Sequence, residues 1–134
     1  MQLVKTDYYR YREKGHSLGD VIFSRGFQAV LSYRLRNWLH KNRIPFLNII
    51  MEYITEVITG VEIPANVTIG KGLIIYHGGS VLINSGSQLG ENVSIRPGVV
   101  IGGDYDGNGV PTLGNHIEIG VGAKILPWEH TAWR

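Results

Sequence analysis

The sequence predicts a mainly β fold: a solenoid of short flat strands, about three triangular coils long, behind an α-helical segment. Three observations carry this. Aliphatic residues recur every six positions in the second half of the chain, as Ile63, Ile69 and Ile75, then Ile83, Leu89, Ile95 and Ile101, then Leu113, Ile119 and Ile125. Fifteen of the 18 glycines lie between Gly60 and Gly122. Charge divides the same way, with nine Lys/Arg and three Asp/Glu in residues 1–45 against four and eight in residues 46–134.

Length and composition set the frame. A chain of 134 residues is one domain's worth, and 43% hydrophobic with 18% charged residues is enough to fill a core. The absence of cysteine excludes disulfide frameworks, Cys–zinc sites and thiol nucleophiles. The polar and aromatic start, Met1 to Lys14, does not read as a signal peptide. The most apolar run, Ile44 to Ile58, carries Glu52 and Glu56 and is too short to span a bilayer. The expectation is a soluble cytoplasmic chain.

Residues 1–60 form the expected helical segment. Phe23, Phe27, Val30, Leu31, Leu35, Trp38 and Leu39 recur at steps of three and four, which predicts one apolar helix stripe. Arg25, Arg34, Arg36 and Lys41 fall on the other face, expected to be solvated. Peripheral contact with an anionic membrane is the less favoured reading of that face. Pro45 ends this helix. Phe46, Leu47, Ile49, Ile50, Tyr53, Ile54, Val57 and Ile58 predict a second, closed by Gly60 as C-cap.

Residues 61–126 form the expected coil domain. Glycine follows the aliphatic position at 70, 90, 102, 114 and 120, and a small or branched residue sits four after it at 67, 73, 93, 99, 117 and 123. A period of six suits a solenoid in which the aliphatic residue points to the axis and glycine turns the corner. An antiparallel barrel of short strands is the competing architecture. Two breaks interrupt the phase. The first surrounds Tyr76-His77-Gly78-Gly79-Ser80, and the second is an expected ejected loop from Gly103 to Thr112. Regular coils only pack, so chemistry belongs in the breaks. Residues 127–134 are left as a short tail, with Trp128 and Trp133 as a cap over the open coil end; a truncated, non-catalytic structural subunit is the other reading.

The pieces GFQAVLSYRLRNWL, VEIPANVTIGKGLIIYHGGSVLI, VSIRPGVVIGG and IGVGAKIL, in this order, resemble the serine acetyltransferase branch of the hexapeptide-repeat acyltransferases. The resemblance implies a left-handed parallel β-helix, a homotrimer, and acetyl-CoA as co-substrate in a groove between neighbouring coils. It implies an O-acetyltransferase in which His77 is the general base, since a histidine neutral near pH 7 suits proton removal from a hydroxyl. Glu62 stands where the family has an Asp that orients this histidine. Gly102 and Gly103 align with paired glycines beside the thioester, and Gly120 and Val121 with a further CoA-contacting segment. A loop histidine, a solvent-facing Glu and plain turn glycines are the bland alternatives. The other histidines, 16, 40, 116 and 130, match nothing in the family.

Departures from the family point to the acceptor. Family members carry an Asp before the histidine, here Tyr76, and Arg-His-Pro after the loop, here Gly109-Val110-Pro111. Without a cation for an amino-acid carboxylate, and with Tyr76 able to stack on a sugar, the expected acceptor is a sugar hydroxyl of polysaccharide biosynthesis. Serine is the alternative, and its turnover would need another cation, Arg96 or an N-terminal arginine. Asp104-Tyr105-Asp106-Gly107-Asn108-Gly109 resembles the start of a calcium loop, but position twelve is Asn115 rather than Glu, so no metal is expected. No motif suggests nucleic-acid binding.

Overall fold

The structure, a computed structural model, describes residues 2–103 and 111–126. Four helices come first: α1 (Gln2–Glu13), α2 (Leu18–Ile22), α3 (Arg25–Lys41) and α4 (Pro45–Thr59). Ten strands follow, all two or three residues long: β1 (Val61–Glu62), β2 (Thr68–Ile69), β3 (Ile74–Ile75), β4 (Val81–Ile83), β5 (Gln88–Leu89), β6 (Ser94–Ile95), β7 (Val100–Ile101), β8 (Thr112–Leu113), β9 (Glu118–Ile119) and β10 (Lys124–Ile125).

The strands stack into three parallel sheets, β1-β4-β7-β10, β2-β5-β8 and β3-β6-β9. These are the three faces of a parallel β-helix. Register shows where the chain leaves the repeat. Ile75 lies beside Ile95, a step of 20 residues, whereas Leu82 lies beside Val100, a step of 18. Ile95 lies beside Ile119, a step of 24. Three hexads account for 18. The two extra residues of the first coil fall around His77, and the six extra of the third fall between β7 and β8, the stretch of the expected ejected loop. Most of that loop, residues 104–110, and the tail 127–134 lie outside the described residues, so the calcium-like motif and the tryptophan cap do too.

The predicted aliphatic positions fill the axis: Ile63, Ile69, Ile75, Ile83, Ile95 and Ile101 are almost wholly buried, with Val67, Leu73, Val93 and Val99 between them. Each buried aliphatic side chain of this size contributes about 1.5–3 kcal/mol against exposure.

The helical segment departs from its predicted pattern. Met1 to Lys14 gives no apolar stripe, yet residues 2–13 form α1. Phe23 caps α2 and is 82% exposed, and Trp38 is also exposed, while Phe27, Val30 and Leu39 are buried as expected. Arg34 and Arg36, expected on a solvated face, are buried. The reason is the first coil, whose strands have no coil before them to pair with. Side chains of α1 and α3 take that place. Arg34 donates to the carbonyls of Ile69 and Gly70 at 2.7 Å each, and Arg36 to that of Ile63 at 2.6 Å. Asn37 donates to the Ala65 carbonyl at 2.9 Å and the Tyr33 hydroxyl to that of Val67. Asp7 accepts from the Leu73 amide at 2.7 Å. The Tyr11 hydroxyl both donates to the Ile75 carbonyl and accepts from its amide, at 2.8 Å each. Buried charges survive because every one is hydrogen-bonded.

α3 can lie this close because residue 26 is glycine: a Cβ there would overlap the Ile75 carbonyl oxygen. α4 begins at Pro45, where a missing N–H costs nothing, and ends at Gly60 in the left-handed conformation. Its burial is inverted. Asn48, Thr55 and Thr59 face the protein, while Phe46, Ile49, Tyr53 and Val57 are exposed, Phe46 to 78%.

Candidate active site

The first phase break is a tight left-handed turn between β3 and β4. Four of its five residues have positive φ: His77 at 65°, Gly78 at 73°, Gly79 at 83° and Ser80 at 47°. A side chain in this region costs about 1–2 kcal/mol, so His77 sits in a conformation that its own residue type disfavours. The surroundings hold it there. The Gly79 amide donates to the Thr59 carbonyl at 2.8 Å, and Val81 to that of Gly60 at 3.2 Å. At Gly78 a Cβ would come within 2.8 Å of the Thr59 oxygen, so glycine is needed for space as well as conformation.

The His77 side chain is exposed and borders a cavity of about 530 Å³ between this turn and the α1–α2 connection. Tyr11, His16, Asp20, Phe23 and Tyr76 share its lining. His16 lies in the α1–α2 connection and Asp20 in α2, where no site was expected; the Ser17-x-x-Asp20 spacing of a capping box marks the start of α2 in the sequence but not a site. Asp20 is held by the capping box of α2, accepting from the Ser17 amide at 3.1 Å. The bonds from Ser17 pull its carboxyl below the ordinary value.

The structure does not join Glu62 to His77. Glu62 on β1 borders a separate concavity of about 400 Å³, with Glu56, Gly60, Ser80 and Leu82. Among the described residues no hydrogen bond links the two. Desolvation, with the negative charges of Glu56 and Glu52 adding to it, pushes the Glu62 carboxyl above its ordinary value.

The glycines fall on two edges of the face β1-β4-β7-β10. Gly102 and Gly103 follow β7. The Gly102 amide donates to the Ile125 carbonyl at 2.8 Å, so it is committed to the ladder and is not a bare donor for an oxyanion. Gly103 lies against the Asn84 side chain. Gly120 and Val121 lie between β9 and β10 on the edge that also carries His77, two coils on, and both are exposed. Tyr76 is half-buried against Tyr11, Val21, Phe27 and Ile74, and the Arg96 guanidinium lies over its ring, 4.6 Å from the centroid. Among the described residues no group of three or more His, Asp or Glu could hold a metal ion, and no helix is long and apolar enough to cross a membrane.

An exposed imidazole on a rigid turn beside a cavity can take a proton from a hydroxyl bound there. Comparison with known proteins shows what the whole chain is similar to. No family model matches the chain. A serine acetyltransferase of Helicobacter pylori (strain ATCC 700392 / 26695) is 42% identical over 103 residues, covering 75% of this chain and 60% of that protein. One of Synechococcus elongatus is 36% identical over 103 residues, covering 75% of this chain and 42% of that protein. The chain thus spans about half the length of such relatives. Among solved structures, serine acetyltransferase of Brucella abortus strain S19 superposes with a TM-score of 0.87 at 26% identity, over 94% of this chain and 54% of that one. A second structure from that organism, in complex with coenzyme A, gives 0.85 at 26% identity, over 94% and 53%.

These relatives overturn the expected sugar acceptor of polysaccharide biosynthesis: they are serine acetyltransferases, and the serine alternative is the better supported. That expectation weighed most the missing arginine and histidine at Gly109-Val110, with Arg96 or an N-terminal arginine named only as the fallback cation for serine. The superposition gives the coils their hand, a left-handed β-helix with a helical preface. Sequence and fold agree in what the chain is similar to: over three quarters of its length it matches serine acetyltransferases, a branch of the hexapeptide-repeat acyltransferases.

Proposed function

We propose that this chain is an acetyl-CoA-dependent serine O-acetyltransferase. The carrying observation is His77, held in a strained turn at the mouth of a cavity, in a chain 42% identical to the Helicobacter enzyme. In this reading His77 takes the proton of the serine hydroxyl as its oxygen attacks the thioester carbon. It returns that proton to the sulfur of CoA as the C–S bond breaks. A neutral imidazole is regenerated, so no other proton carrier is needed.

Glu62 then acts on His77 as a charge across the turn rather than through a hydrogen bond. It favours the imidazolium formed in the transition state. The edges at Gly102, Gly103, Gly120 and Val121 would hold CoA. A Cβ at Gly120 or Gly122 would meet nothing within 4 Å, and such open backbone suits the pantetheine arm. We infer a homotrimer, because the two glycine-bearing edges flank one face and a threefold arrangement sets an edge of one copy against the next. The exposed apolar side of α4 supports association of copies. Acetyl-CoA as donor makes the cytoplasm the place of action.

The test is thiol release from acetyl-CoA with and without L-serine, with light scattering on the same sample. Serine-dependent release from a trimer is expected. No release, or release only with sugar acceptors, would refute the activity. A monomer or a hexamer as the main species would refute the assembly.

A further inference from the structure

A serine acceptor brings a carboxylate, and removing that charge from water requires a cation with matched geometry. The chain has one stacked on Tyr76, the residue that precedes the base. Arg96 directly follows β6. The pairing of Ile74 with Ser94 and Ile75 with Ile95 sets Arg96 one coil beyond Tyr76, the residue next to His77. Its backbone is fixed between coils by the Arg96 amide donating to the Ile119 carbonyl at 3.3 Å.

Its side chain is oriented as well. The guanidinium stacks over the Tyr76 ring, and that ring is anchored on Tyr11, Val21, Phe27 and Ile74. Stacking engages the face of a guanidinium and leaves its N–H edge free to bind. Among the described residues its one ion pair is with Glu118, at 4.0 Å, the outer limit of such a contact, with both side chains about half exposed. The edge is therefore reachable by a carboxylate and is weakly held by its present partner.

We propose that Arg96, positioned by Tyr76, recognises the carboxylate of a hydroxy-amino-acid acceptor and is the specificity-determining residue of this chain. The proposal rests on the serine reading. It explains Tyr76 without a sugar: the ring is a platform for the cation, and its face is already covered. Glu118 is the internal carboxylate that the substrate displaces.

The experiment measures kcat and KM for L-serine and for L-serinamide, which differ in the carboxylate alone. The proteins are wild type, Arg96→Gln, Arg96→Lys and Glu118→Gln. Wild type should prefer serine. Arg96→Gln should raise KM for serine by roughly ten- to a hundredfold, the worth of one or two charge-assisted hydrogen bonds. KM for serinamide and for acetyl-CoA should hardly change, so the preference disappears. Arg96→Lys should restore part of it. Glu118→Gln should lower KM for serine by removing the competing carboxylate, which tests the idea even if the arginine variant folds poorly. An unchanged serine-to-serinamide ratio in Arg96→Gln, or a raised serine KM in Glu118→Gln, would overturn the role of Arg96 alone. Wild-type protein that turned over neither compound would overturn the serine reading and this proposal with it.

Discussion

Asp7 and Arg34 form a two-pronged ion pair inside the protein, Nε to Oδ2 at 2.8 Å and a terminal nitrogen to Oδ1 at 3.0 Å, with both side chains nearly inaccessible to water. The pair joins α1 to α3. Its remaining bonds, to the Ile69 and Gly70 carbonyls and from the Leu73 amide, tie both helices to the first coil. Burial pushes the Asp7 carboxyl up, and Arg34 works against that.

Removing one partner of this pair should be costly. Arg34→Ala leaves a buried carboxylate without its cation, holding only the Leu73 amide, and leaves the Ile69 and Gly70 carbonyls without this donor, a loss of about 3–5 kcal/mol. Asp7→Asn should also destabilise, and the double variant should lose less than the two single losses together. Urea denaturation of the four proteins measures this, and additive losses would contradict it.

At His77, stability and activity should move in opposite directions. His77→Ala should lower turnover by roughly 10²–10⁴ while the fold persists. His77→Gly should lose the same activity and gain about 1 kcal/mol, because glycine adopts φ of 65° without strain. Thermal melts paired with thiol-release rates read both effects. A glycine variant less stable than the alanine variant would contradict the strain assigned to this turn.

Gly26→Ala should disturb the docking of α3 on β3, since the added methyl overlaps the Ile75 carbonyl. A loss of roughly 2 kcal/mol or more is expected, within the range for overpacking. The companion change Gly19→Ala, where a Cβ meets nothing within 4 Å, should be nearly neutral. Equal melting temperatures for the two variants would refute the close approach.

Glu62 gives a pH-dependent prediction. Its folded form holds the proton more tightly than the ordinary carboxyl value of 4.5. The stability this contributes is present at low pH and lost as pH rises through the folded pKa. Glu62→Gln mimics the protonated form. It should match wild type near pH 3 and be more stable at pH 7, by about 0.5 kcal/mol or less, because solvent still screens this half-buried group. Denaturation midpoints at both pH values decide; a variant less stable at pH 7 would show that the charge helps the fold.

The coils were legible because their packing is written in one residue class at one spacing. Ile69, Ile75 and Ile95 point inward as the six-residue period requires, and the register steps of 20 and 24 fall where the phase breaks. The helices were harder to read, because α1 and α3 dock through Asp7, Tyr11, Arg34 and Arg36. Hydrophobic periodicity cannot register a helix whose buried groups are polar, so α1 went unseen and two arginines were assigned to water. α4 misled in the opposite sense, with its apolar side outward. In the site, His77 was marked by the phase break. The separation of Glu62 from it, and the arrangement of Arg96 over Tyr76, depend on contacts between coils that no single hexad encodes.

The side chains that satisfy the first coil have a consequence for assembly. A β-helix is a stack, and a stack with a bare first rung is a template onto which another stack can grow. Arginine, asparagine, tyrosine and aspartate side chains occupy that rung's hydrogen-bonding groups one at a time, in a pattern no incoming strand can match. The helical segment is thus a stopper against end-to-end polymerisation. Coils stripped of it would be prone to run together into filaments, and the ion pair of Asp7 and Arg34 guards solubility as much as folding.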